Sequence, residues 1–256
     1  MTHDVEYLRQ AATNYPSDAS VLFRAVAHDA FPENRRQWID QLKHSDPDNA
    51  LAYYLSANQY WKENDAASAL NELAKASQKL TFRDYITDHM QSLEEIYLNA
   101  GRSAADAKAL ATHAVEMPHI SRLSEMSKGI ADLMNDYQNQ GDSESVENLA
   151  RMGLALAGHL NGVQDGGNLL GQIVGVKVEQ RVLRQLDQSQ NYPFLAGPVL
   201  DRLAVLDSRE ESIRQDSQFI GQWIPRASEQ EQVSYFDRLK LYGESAAIDW
   251  LKNRSQ

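Results

Sequence analysis

Residues 49–76, NALAYYLSANQYWKENDAASALNELAKA, decide the fold. They read as two short helices joined by a tight turn at Asn64-Asp65. Tyr53, Ala57 and Tyr60 share one face of the first helix, and Ala69, Leu73 and Ala76 share one face of the second. The pattern alternates large and small residues at helical offsets, which lets two helices approach closely. A unit of this size cannot bury its apolar face alone and needs neighbours to stack on. The stretch therefore predicts an array of helix pairs that works by binding.

Outward from this stretch, helical periodicity dominates the chain. Helices are expected at about 4–14, 19–30, 34–44, 48–63, 66–78, 83–100, 103–115, 119–140, 144–160, 167–188, 197–206, 209–224, 229–242 and 244–253. The β-branched run Ile173–Val178 sits among leucines and valines spaced three and four apart, which favours a helix. Asp46-Pro47 predicts an acidic N-cap followed by proline in the first turn. Ser103 and Ser143 stand before acidic residues as further helix starts. Gly101, Gly141 and Gly243 fall between helical runs, where a left-handed C-cap is wanted. Residues 161–167 and 191–198 read as loops.

Laid without gaps, 49–76 resembles the tetratricopeptide-repeat family. Tyr53 and Tyr60 stand at its aromatic positions, Ala57 at the small contact position, and Ala69, Leu73 and Ala76 follow the turn. Ser56 replaces the usual leucine, and no proline closes the unit near Thr81. A second copy covers about 130–153: Ile130, Leu133, Met134 and Tyr137, then Gly141-Asp142, then Val146, Ala150 and Gly153. A shorter copy runs from Pro16 through Leu22, Ala25, Val26, Trp38 and Leu42, and the last 25 residues look like a degenerate capping repeat. The resemblance implies an all-α, right-handed superhelix of antiparallel helix pairs, a solenoid. Its N-terminal repeats would span 1–116, and a repeat with divergent helices and a cap would span 117–256, the two forming one continuous array.

In that family the first helix of each pair lines a concave peptide-binding face. The resemblance places Tyr54, Asn58, Trp61 and Lys62 there, with Asn135, Gln138 and Asn139 at the corresponding places of the second copy. The Asn58 amide offers both a donor and an acceptor to a peptide backbone. The family's carboxylate-clamping version needs cations on successive first helices. Ala131, Gln138 and Asn139 supply none beside Lys62, so a clamp for a peptide C-terminus is not expected.

The chain carries 36 acidic and 25 basic residues, a formal charge of −11, split −5 and −6 between its halves. No basic block is left for a phosphate backbone, so no nucleic-acid partner is expected. A basic or amphipathic protein segment suits the charge better. There is no cysteine, which removes disulfides and thiolate chemistry. No window reaches the roughly 20 apolar residues of a membrane span, and the N-terminal residues do not read as a signal peptide. A cytoplasmic protein is expected; a soluble domain of an exported or anchored protein is the alternative.

Other constellations are weak. Gly167, Gly171 and Gly175 recur every four residues on one helix face, marking close approach of a neighbouring helix such as 144–160 with its Ala155 and Gly158. No two of the seven histidines stand three or four apart, and HExxH is absent, so no metal and no cofactor are expected. Asp88 and His89, being adjacent, are expected to point apart, and the pairs Glu94-Glu95 and Glu210-Glu211 to be solvated faces. No nucleophile motif appears. A non-catalytic interaction module is the leading reading. An all-helical enzyme acting on carbohydrate or lipid, and a self-assembling structural subunit whose oligomeric state is open, are the alternatives.

Overall fold

In the computed structural model, which describes residues 2–162 and 167–254, the chain is all-helical. Its α-helices are α1 (Thr2–Asn14), α2 (Ala19–Ala27), α3 (Arg35–Ser45), α4 (Ala50–Lys62), α5 (Ala66–Ser77), α6 (Ile86–Asn99) and α7 (Ala104–Ala114). They continue with α8 (Pro118–Asn139), α9 (Ser143–Asn161), α10 (Leu169–Leu183), α11 (Val199–Trp223), α12 (Glu229–Tyr242) and α13 (Glu244–Arg254). There is no strand among the described residues, only an isolated bridge between Asn49 and Thr81. Part of the expected loop at 161–167, residues 163–166, lies outside the described residues.

The helix starts follow from short polar side chains that satisfy otherwise orphaned backbone N–H groups. Asp18, Asn49, Asp65, Ser103, Asp142, Asn168 and Ser228 each accept such a bond in the first turn of the helix they precede. Two expected caps move. Asn49, not Asp46, caps α4. Asp46 is instead buried, receiving the Tyr85 hydroxyl at 2.5 Å, the Asn49 amide at 3.1 Å and the Arg83 guanidinium at 2.5 Å. That knot ties residues 81–85 to the α3–α4 turn. Asp142 rather than Ser143 caps α9. The helices expected at 197–206 and 209–224 are one. Val199, Leu206, Ile213 and Ile220, spaced seven apart, bury a single stripe along α11, and Ser208 bonds back to the Ala204 carbonyl at 3.1 Å without breaking it.

The α4–α5 and α8–α9 turns are built alike. The Tyr60 carbonyl accepts the Asp65 N–H at 3.0 Å, and the Tyr137 carbonyl accepts that of Asp142 at 3.0 Å. Asn64 and Gly141 take the left-handed positions, at φ 60° and 75°. Asp65 then caps onto Ser68 and Asp142 onto Ser145, each at 3.0 Å. The α6–α7 turn repeats the closure, Tyr97 to Arg102 at 3.1 Å across Gly101. Gly243 has positive φ but an extended ψ of 164°, so it is not a left-handed α cap.

The pairs do not stack in chain order. α4 lies against α8 and α5 against α9, although α6 and α7 intervene in sequence. α6–α7 pairs with itself and meets α12, while α13 lies on α11. The C-terminal pair, expected as an end cap, thus bridges two parts of the molecule. Glu94, expected to be solvated, is buried in that bridge. Lys108 reaches its Oε1 at 2.6 Å and Asp237 at 2.5 Å, and Lys240 contacts its Oε2. One continuous apolar core runs from Ala12 to Leu251 through every helix pair. Within it, α9 packs closely on α10. A Cβ added at Gly175 would stand 3.0 Å from the Ala157 carbonyl and 2.5 Å from Asn161 Oδ1. The close contact expected of the glycine helix is present, made by Ala157 and Asn161 rather than Ala155 and Gly158. Gly167 precedes the helix. No helix of the described residues is long and apolar enough to cross a membrane.

Candidate functional site

The residues expected on an open concave face do not share one. Tyr54 is fully buried, with its hydroxyl 2.8 Å from His159 Nδ1 and its ring beside Phe82. Burial pushes its phenol far above the ordinary range. Asn58 is also buried. Trp61 lies across α8, where an added Cβ at Gly129 would stand 2.8 Å from its indole. These three are covered because α8 and α9 pack directly onto the α4–α5 pair. Lys62, Asn135 and Asn139 are exposed, while Gln138 donates to the Gln185 carbonyl before α11. Among the described residues no cluster of three or more His, Asp or Glu is grouped to hold a metal.

A cavity lies elsewhere, an open groove of about 660 Å³ between α9, α10, α11 and residues 194–198. Its existence follows from backbone and side-chain size. Pro193 and Gly197-Pro198 divert the chain before α11 starts. Gly158 leaves the α9 side of the groove bare, for an added Cβ there would meet nothing within 4 Å. Leu154, Phe194 and Val205 supply apolar walls. Phe194 is held in place by Tyr192 at 5.4 Å and by the Arg151 guanidinium 4.7 Å from its ring centre. Tyr192 is in turn fixed by the Asp187 N–H, donated to its hydroxyl at 3.0 Å.

Polar groups sit at defined points of this wall. Glu179 is buried on α10 and accepts from Arg202 Nε at 2.6 Å, and that bond raises the Arg202 pKa above its usual value. Asp201 and Arg209 line the groove without an ion pair among the described residues. Val205 (55% exposed) and Leu200 (56%) carry the apolar character onto the outside of α11. An apolar trough with a few charges fixed at its edge suits a side-chain-bearing segment better than a compact polar substrate. Sequence reasoning missed the groove because Gly158 looked like a helix-packing glycine. The proline and glycine pair before α11 was the one signal pointing to it.

No family model, no curated protein and no solved structure matches the chain.

Proposed function

We propose that this protein is a non-catalytic interaction module whose groove between α9, α10 and α11 holds an amphipathic segment of a protein partner. The groove itself carries the reading: 660 Å³ of open, largely apolar space whose floor is a glycine and whose charges stand at the edge. Apolar side chains of the partner would enter against Leu154, Phe194 and Val205. Charged residues flanking them would meet Asp201 and Arg209 at the groove, and the formal charge of −11 favours encounter with a segment that is basic overall. Glu179, the buried carboxylate of the groove, is committed to Arg202 and does not stand as a free acid. The tetratricopeptide-like reading of the helix pairs rests on the sequence resemblance at 49–76 and 130–153; the two pairs share a turn and lie against each other, out of chain order. In this reading the stack forms a scaffold, and the groove forms where the divergent helices begin.

The test uses the empty space above Gly158. At Gly158→Leu the new Cβ meets nothing within 4 Å and a helix-interior glycine is replaced, so the change should leave stability unchanged or raise it by up to about 1 kcal/mol. It should also displace the partner segment from an affinity-purified complex. A Gly158→Leu protein that keeps every partner at wild-type yield contradicts the groove.

A further inference from the structure

A second cavity, of about 340 Å³, lies between α1, α2 and α6 and is independent of the groove. Its wall carries Arg24, Asp18, Ser20, Asp88, His89 and Ser92. Arg24 is the informative residue. Its Nε is buried without a hydrogen-bond partner, and its guanidinium forms no ion pair among the described residues. The residue is half-buried, and the one buried N–H left unsatisfied, at Nε, is costly; burial lowers its pKa. Asp88 and His89, expected to point apart, face the same cavity. The Asp88 carbonyl takes the Ser92 hydroxyl at 3.0 Å, while its carboxylate has no partner among the described residues. Asp18 Oδ1 accepts the N–H groups of Ser20 and Val21, at 3.0 and 3.1 Å. The Ser20 hydroxyl donates to no described residue. His89 is held neutral, its pKa pushed down to about 4 first by burial and then by Arg24 and His28.

The cavity thus offers a cation with one unsatisfied buried N–H, an exposed carboxylate without a protein partner, and the polar side chains of Ser20 and His89 on the same wall. A simple anion would satisfy Arg24 but face Asp18 and Asp88. A simple amine would do the reverse. A ligand carrying both charges satisfies both ends, and 340 Å³ is at the small end of ligand pockets.

We propose that this pocket binds a small zwitterion, an α-amino acid, with its carboxylate on Arg24 and its ammonium on Asp88. Ser20 and His89 complete the polar contacts. A ligand there joins α1 and α2 to α6 and so stabilises the N-terminal helices against the α6–α7 pair.

The experiment is a thermal-shift and calorimetric panel on the full chain with the twenty common amino acids, inorganic phosphate, acetate and methylammonium, each alone. At least one amino acid should raise the Tm by about 3 °C or more at saturation. Acetate, phosphate and methylammonium should not. Arg24→Met and Asp88→Asn, checked for helix content by circular dichroism, should each weaken that amino acid at least tenfold. The proposal is overturned if no amino acid shifts the wild-type protein. It is equally overturned if phosphate or acetate binds as well, or if an amino acid binds with the same affinity to Arg24→Met. Because the wild-type panel decides by itself, a variant that fails to fold does not rescue the idea.

Discussion

At the scale of single residues, Tyr54 shows how a family pattern misleads. Its place on a first helix implies a groove-lining aromatic, yet it is one of the largest fully buried side chains. Tyr54→Phe keeps the ring and removes the bond to His159, at a cost of about 1 kcal/mol in denaturant unfolding. Tyr54→Ala should cost about 3–5 kcal/mol, through the cavity it leaves. A Tyr54→Ala protein as stable as wild type would mean the ring is not in the core. His89 gives a pH prediction. With its pKa lowered from 6.5 to about 4, the folded protein binds this proton less readily than the unfolded chain does. Stability therefore falls as pH drops from about 6.5 towards 4, and His89→Gln should flatten that part of the profile by at most about 2 kcal/mol. Below it, Glu72 and Glu94 add to the loss. Burial alone would raise their pKa values, but bonds from Lys43 and Lys75, and from Lys108 and Lys240, more than offset it. Periodicity places a residue on a helix face and does not say which neighbouring helix covers that face, which is why Tyr54, Asn58 and Glu94 were misread from sequence.

At the scale of elements, sequence was far more informative. The helix boundaries follow caps and glycines that act within one turn, and local chemistry of that kind is written in consecutive residues. Asn64-Asp65 and Gly141-Asp142 announce the same turn, and the structure builds both with the same bonds. Asn64 holds φ 60°, where a side chain with a Cβ pays. Asn64→Ala should destabilise by about 1 kcal/mol and Asn64→Gly by almost nothing, which equilibrium unfolding can separate. The α9–α10 contact makes a sharper claim. Gly175→Val pushes methyl groups into the Ala157 carbonyl and Asn161 and should cost about 1–3 kcal/mol or more. Gly158→Leu, at the residue directly after Ala157 on the partner helix, should cost nothing. The contrast between these two glycines was not legible beforehand, since both sit in the same kind of pattern.

At the scale of the whole molecule, the order of stacking is the departure from expectation. Local pattern gives helix pairs, but which pair lies on which depends on long-range contacts such as Lys108 with Asp237 and Lys240 with Glu94. Glu94→Ala leaves Lys240 without a carboxylate and Lys108 with Asp237 alone, in a partly buried site, and should cost about 2–3 kcal/mol, with hydrogen exchange rising first in α6, α7 and α12. With α6–α7 outside the stack, α4–α5 lies against α8–α9, and the groove lies between α9, α10 and α11. The direct measurement of that account is a photo-cross-linking side chain at position 205, with the captured peptide sequenced by mass spectrometry. The account predicts a cross-linked amphipathic segment with basic flanks, lost when Gly158 is replaced by leucine. Cross-links that persist in Gly158→Leu, or that join only to a second copy of this chain, would contradict it.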